Sequence, residues 1–345
     1  MIRTDQDLLT AFATLPALDK TIESQARQRL DQLTKPQGSL GRLEDIAAWM
    51  CGWQRTLQPR TEKAHTLVFA GNHGVTRQGV SAFPAEVTVQ MVANFASGGA
   101  AINQLCNAIP SQLQVIPLSL EKPTADFTQT PAMSADECAD AFAAGMNAVP
   151  ADADIIILGE MGIGNTTAAA AVAYALAGGM AENWVGSGTG INPAMLRHKR
   201  DVVTKAVALH RSYLKGTLAL LQHVGGRELA AIAGAVWRAR ELGIPVILDG
   251  YVVTAAAAAL QLVNRDMLSH CITGHKSVEP GHERLLEWLK MKPLLDLDMR
   301  LGEGSGAQVA LSIVRASVAT FSHMATFESA QVANKEETQA STKVA

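Results

Sequence analysis

The chain has 345 residues, of which 48% are hydrophobic, 18% charged and 5% aromatic. That is enough apolar material for a sizeable core and excludes wholesale disorder, and the length suggests two domains or one large one with attachments. Lys plus Arg is 29 against 32 Asp plus Glu, a formal charge of −3, which excludes the concentrated basic surface of a dedicated nucleic-acid binder.

In chain order, the N-terminus Met1-Ile2-Arg3-Thr4-Asp5-Gln6-Asp7 is too polar for a signal peptide. Residues 1–60 read as helical. Leu8, Leu9, Phe12 and Leu15 have helical spacing, as do Leu30, Leu33, Leu43, Ile46 and Ala47 around a break at Lys35–Arg42 that holds two glycines and a proline. From about residue 65 the texture changes to short apolar runs, each followed by a Gly-containing turn and a helix. Thr66–Ala70 runs into Gly71-Asn72-His73-Gly74, Leu113–Leu118 is a further strand, Asp154–Leu158 runs into Gly159-Glu160-Met161-Gly162, and Val246–Leu248 runs into Asp249-Gly250. This order predicts an α/β fold with a parallel sheet covered by helices on both faces. In two of the units an apolar strand ends in a carboxylate, Glu160 or Asp249, and a Thr then opens an Ala-rich helix. Ligands of open parallel sheets sit beyond the carboxyl ends of the strands, so both acids are expected at the pocket. The apolar stretch Ile244–Val263 is interrupted by Pro245, Asp249 and Gly250 and reads as strand, turn and helix, not as a membrane span. Ala307–Phe321 is a long helical pattern, and the polar tail from about 331 is expected to fray.

Several chemistries are excluded. Cys51, Cys106, Cys138 and Cys271 lie far apart without a C-x-x-C pair, so reduced thiols in a cytoplasmic protein are expected. Gly274-His275-Lys276-Ser277 lacks the Gly before Lys that a P-loop needs. No Asp-Asp pair follows a strand, which argues against a metal-bound pyrophosphate substrate. His270, His275 and His282 match no common zinc spacing and read as polar loop residues. Neither metal nor cofactor is expected.

Three Gly-rich segments remain that suit an anion or a sugar phosphate: Gly159–Thr167, Gly186–Gly190 with the basic Arg197, Lys199 and Arg200 after it, and Arg300–Ala307. Backbone N–H groups of such turns approach a ligand closely, and a helix N-terminus adds positive potential. Each also has a plainer reading. Gly-rich strand–helix turns serve close packing, Glu303 suits a helix start, and His73 suits a hydrogen-bonded turn.

At these residues the sequence resembles the nicotinate-nucleotide–dimethylbenzimidazole phosphoribosyltransferase family. The matching segments are Lys35–Glu44, Ala70–Val75, Gly159–Thr167, Leu248-Asp249-Gly250 and Met299–Gly306, which together span about 30 to 330 in a specific order. The resemblance implies a Rossmann-like α/β domain over about 61–310, and a small helical domain that joins 1–60 to helices at about 311–330. It implies transfer of the phosphoribosyl group of nicotinate mononucleotide to 5,6-dimethylbenzimidazole with inversion, without a metal, giving α-ribazole 5′-phosphate and nicotinate in cobalamin lower-ligand assembly. It also implies a homodimer whose partner helps close the active site, with no nucleic-acid or membrane partner.

By the same resemblance Glu303 is the catalytic glutamate, placed to take the benzimidazole proton. An ordinary Glu titrates at roughly 4.3, and burial would raise it. Glu160 is a second catalytic carboxylate that stabilises positive charge on the ribose or binds its hydroxyls, with Asp249 near the ribose or the leaving group. Gly162 and Gly164 are implied for the phosphate, with Gly188, Lys199 and Ser277 beside them. Phe83, Thr88 and Met91, within Ser81–Met91, are implied to line the base pocket together with Leu301. Phe83 suits stacking on a flat heterocycle or plain core packing. This chain has Asn72 where some members carry Asp, and Phe83 and Met91 where some carry a small hydroxyl residue and Gln, which leaves the base preference open. The competing readings are a non-catalytic nucleotide- or azole-binding protein on the same fold, and a nucleosidase using water as acceptor.

Overall fold

The computed structural model describes residues 2–188 and 190–333. The apolar runs become strands: β1 (Ala64–Ala70), β2 (Gln112–Pro117), β3 (Ile155–Met161), β4 (Val246–Leu248) and β5 (Cys271–Thr273). They pair in the order β2-β1-β3-β4-β5, with every neighbour parallel. Residues Ile155 to Leu158 of β3 are fully buried, as a parallel strand covered on both faces requires. In β1, Leu67 and Phe69 join the main apolar core while Val68 joins a second cluster with Phe95 and Ile102, so both of its faces are covered. The α/β fold is therefore the one expected. β5 was not among the expected strands. Its three residues are too few to show a period, and it forms by pairing with β4.

The strand order reverses between β1 and β3, since the chain leaves β1 for β2 on one side and returns to β3 on the other. A crevice opens beyond the strand ends at such a reversal. The two Ala-rich segments form the buried helices Asn165–Ala177 and Tyr251–Ala258, and Ala168 to Ala173 are fully buried. A helix that is apolar all round belongs inside, and its small side chains let it approach its neighbours closely. The helices Ala135–Ala148 and Arg227–Leu242 meet backbone to backbone, because a Cβ on Gly145 would strike the Ala231 carbonyl and one on Gly234 that of Phe142.

The chain divides into two compact units. The first holds the sheet and comprises Glu62–Leu311 with the N-terminal residues through Pro16. The N-terminal helix Asp5–Phe12 therefore sits with the α/β unit and not with the helices that follow it. Leu8 is buried in the α/β core, and Asp5 accepts the N–H groups of Leu218 and Ala219 at 2.8 and 3.1 Å. The second unit comprises Ala17–Thr61 and the chain from Ser312 onward. Its helices Lys20–Gln32 and Arg42–Gln54 enclose a core of Leu30, Leu33, Ala47, Cys51 and Phe321. A buried Lys35–Glu44 ion pair at 2.8 Å closes the loop between them. The long C-terminal helix runs from Ser305 to His323. Of the tail from 331, residues 334–345 lie outside the described residues.

Candidate active site

Beyond the carboxyl ends of β3, β4 and β5 lies a cavity of about 390 Å³. Eight of the residues singled out from the sequence line it: Phe83, Met91, Glu160, Gly162, Gly188, Ser277, Leu301 and Glu303. Thr88, Gly164, Lys199 and Asp249 stand behind its wall.

Glu303 enters on an unusual backbone. Gly302, Glu303 and Gly304 have φ values of +86°, +61° and +82°, three consecutive left-handed residues of which the middle one carries a side chain. That conformation costs a non-glycine residue roughly 1–2 kcal/mol, so the surroundings must impose it. Glu303 N–H donates to the Glu160 carbonyl at 3.1 Å, and Asp249 accepts the N–H groups of Gly304 at 3.1 Å and Ala307 at 2.9 Å. Gly159 of β3 has no Cβ, which allows the 303–304 backbone to lie directly on the strand. The Glu303 carboxylate is buried and accepts the Ile102 N–H at 3.3 Å. Burial pushes it above the ordinary carboxylate range, Asp249 adds to that, and the Ile102 N–H opposes it.

Glu160 lies within β3, one residue before its end. It is buried, and it accepts a hydrogen bond from the Asn165 amide. Burial, together with the nearby Asp249, Glu228 and Glu303 carboxylates, pushes it up to about 8, so Glu160 in the free protein holds its proton at neutral pH. Asp249 occupies a place different from the one expected at the pocket. Both of its oxygens are spent on the 304–307 backbone, and His275 Nδ1 stands 3.3 Å from Oδ1. Such a tie needs a carboxylate at the end of β4, which the sequence showed, but its direction depends on a turn 55 residues away along the chain.

Directly after β3 comes the Gly162–Gly164 turn, held by Ile163 N–H donating to Thr88 Oγ1 at 3.1 Å. Thr88 thus supports the turn from behind. Gly188 N–H donates to Glu279 at 2.8 Å. Lys199 is 1% exposed, and its Nζ donates to Thr166 Oγ1 at 2.8 Å. Burial lowers it to about 8, and Glu279 opposes that shift. Thr166 and Gly188 both line the cavity, so the Lys199 charge stands one layer behind it. Part of the wall is apolar. Val87, Met91, Met161 and Ile163 line it, and Phe83 and Leu301, at 50% and 56% exposure, stand at its mouth.

Sequence reasoning missed His275, Glu279, Arg300 and Asn165, all of which line the cavity, and the Ile102 N–H. Asn165, His275 and Arg300 lay inside quoted segments without being assigned a role, whereas Glu279 and Ile102 carried no local signal. His270, His275 and His282 are buried, and His282 lies in the helix Pro280–Leu289 and not in a loop. His270 Nε2 donates to the Val236 carbonyl at 2.9 Å. Ser277 N–H donates to His282 Nδ1 at 2.9 Å, which fixes the loop that carries Ser277. His73 is paired with Glu228, and Asn72 donates to the Leu120 carbonyl at 2.9 Å. Among the described residues no group of three or more His, Cys, Asp or Glu is arranged to hold a metal ion, and no helix is long and apolar enough to cross a membrane.

A family model described as phosphoribosyltransferase matches residues 15–332. A nicotinate-nucleotide–dimethylbenzimidazole phosphoribosyltransferase of Mesorhizobium japonicum is 54% identical over 95% of this chain and 98% of its own length, and one of Ruegeria pomeroyi is 54% identical over 95% and 96%. The crystal structure of CobT from Thermus thermophilus superposes with a TM-score of 0.85 at 42% identity, covering 91% of this chain and 99% of that one.

Proposed function

The chain belongs to the nicotinate-nucleotide–dimethylbenzimidazole phosphoribosyltransferase family and is a phosphoribosyltransferase, and on that premise we propose how its cavity carries out the transfer. The substrates are nicotinate mononucleotide and 5,6-dimethylbenzimidazole, and the products are α-ribazole 5′-phosphate and nicotinate, in cobalamin lower-ligand assembly. One observation carries the assignment of roles. Two buried carboxylates, Glu160 and Glu303, face one cavity that also presents an apolar patch of Val87, Met91, Met161 and Ile163.

The base lies against Phe83, Met91 and Leu301, with its N–H toward Glu303. Glu303 takes that proton while the other ring nitrogen attacks C1′ of the ribose. The C1′–nitrogen bond to nicotinate breaks, and its electron pair returns to the pyridine nitrogen, so no outside acid is required. Attack from the face opposite nicotinate inverts the configuration at C1′. A raised Glu303 is a stronger base than an ordinary carboxylate and accepts the proton more readily. Positive charge gathers on the ribose in the transition state, and ionised Glu160 stabilises it. The cationic pyridinium of the bound nucleotide favours that ionisation, because an opposite charge nearby lowers a carboxyl pKa. The phosphate sits at the Gly162–Gly164 turn, with Gly188, Ser277 and the charge of Lys199 beside it. Asp249 serves by fixing the Glu303 turn.

The same reading takes a homodimer in the cytoplasm, and the apolar Phe83 and Leu301 at the cavity mouth support a covering second copy. Light scattering of the purified protein tests the dimer. The transferase reading is tested by incubating the protein with both substrates without added metal and resolving products by chromatography with mass detection. Matched nicotinate and α-ribazole phosphate are expected. Nicotinate with ribose 5-phosphate would mean hydrolysis, and no turnover by folded protein would defeat the assignment.

A further inference from the structure

Against the Gly162–Gly164 turn that follows β3 lies a pair to which the transfer assigns no part. His73 Nε2 and Glu228 Oε1 are hydrogen-bonded, and the two residues are 1% and 0% exposed. His73 follows β1, and Glu228 is on the first turn of the helix Arg227–Leu242. Four glycines close around them. A Cβ on Gly71 would strike the Glu228 carboxylate, and one on Gly226 the His73 ring. A Cβ on Gly162 would stand 3.2 Å from Glu228 Oε1, and one on Gly164 3.3 Å from His73 Cβ. The pair is therefore packed directly against the backbone of the Gly162–Gly164 turn.

Glu228 Oε2 and His73 Nδ1 have no hydrogen-bond partner. A buried carboxylate with unmet acceptors is unfavourable, and apolar residues of similar volume would hold the four glycines at least as well. Packing explains the location of the pair but not its charge. Glu228 does not line the cavity, but it is near enough to act on Glu160, which does.

We propose that Glu228, held by His73, is a positioning residue for Glu160: its packing fixes the Gly162–Gly164 turn that follows Glu160, and its charge acts on the Glu160 carboxylate from outside the cavity. This rests on the role of Glu160 in phosphoribosyl transfer. The groups that face Glu160 are Asp249 from the end of β4, Glu303 from the 302–304 turn, Glu228 from below and the Asn165 amide. His275 and Arg300 line the same cavity. Asp249 and Glu303 each accept backbone N–H groups and contribute to the Glu303 turn. Glu228 accepts none, so its charge can be removed without touching that turn.

The test is the pH dependence of kcat/KM for nicotinate mononucleotide in the wild-type protein, Glu228→Gln and Glu228→Asp, each checked for folding by thermal melting. The wild-type rate should rise with pH as Glu160 ionises. Glu228→Gln keeps the volume and the acceptor for His73 but loses the charge, and its rise should move about one pH unit toward acid. Glu228→Asp keeps the charge, so its rise should stay near the wild-type position, while KM for the nucleotide increases severalfold because the turn has lost its packing. A folded Glu228→Gln with an unmoved profile would overturn the proposal. So would a Glu228→Gln that fails to fold while Glu228→Asp folds, since the charge would then serve folding. Absence of turnover by the wild-type protein would overturn the transferase reading and this proposal with it, whereas an active wild-type with an unmoved Glu228→Gln profile overturns this proposal alone.

Discussion

The end of strand β3 and the turn that opens the last helix each bring a glutamate into one cavity, and they hold it by opposite means. Glu160 sits in regular strand backbone, and its state is set by burial and charge crowding, with Asp249, Glu228 and Glu303 all raising it. Glu303 sits on a left-handed backbone between two left-handed glycines, and Asp249 and the Glu160 carbonyl hold it there. The first is electrostatically strained and conformationally relaxed, and the second is conformationally strained. A site can thus tune a carboxylate through its neighbours' charges or through a backbone that leaves it only one place to point.

If the two glutamates divide the work in this way, removing them should have unequal effects. Glu303→Gln should lower kcat by about 10³-fold, the range of a lost general base, with nucleotide binding still measurable by calorimetry. Parallel loss of both would break the distinction. Glu160→Gln should lower kcat by about 10²-fold, and it should also abolish the rise of kcat/KM with pH near 8 that the raised Glu160 produces. A rise that survives the substitution would assign it elsewhere.

The conformational side is reached through stability. Asp249→Ala strands two buried backbone N–H groups and should cost about 2–3 kcal/mol in denaturant unfolding. Charge crowding gives a pH signature. Glu160 titrates at about 8 in the folded protein against 4.5 for an unstrained group, so over that interval the folded state binds the extra proton. Its contribution to stability is therefore complete below about 4.5 and lost as pH rises through about 8. Melting should fall across that window in the substrate-free wild-type protein and fall less in Glu160→Gln. The smallest effect sharpens the comparison most. Glu303→Gly relieves the left-handed strain and should gain about 1 kcal/mol of stability while eliminating turnover. A loss of stability there would show that the Glu303 side chain contributes more contact energy than its backbone costs.

How much of the site was legible depends on how each part is held. The Glu303 turn was visible because a left-handed run needs glycines, and Gly302-Glu303-Gly304 shows them in the chain itself. Glu160 was visible as the acid closing an apolar strand. The crowding around Glu160 was not, because nothing in the sequence around Glu228 marks its side chain as buried, and its burial follows from four glycines contributed by separate turns. Asp249 was expected at the pocket because it closes a parallel strand, as Glu160 does, and the difference between them lies in which backbone comes near. For the same reason β5 was missed, as was the placement of the helix Asp5–Phe12 with the α/β unit.

What the sequence by itself determined was the alternation of short buried strands and helices, the parallel sheet, the glycine-bearing turns and the acids at two strand ends, because each depends on residues adjacent in the chain. What only the tertiary structure decided was which carboxylates face each other, which nitrogen meets which oxygen, and hence the proton each acid holds. Those energies fall steeply with distance and depend on burial, and distance across the cavity is set by how strands and turns from the whole α/β unit come together.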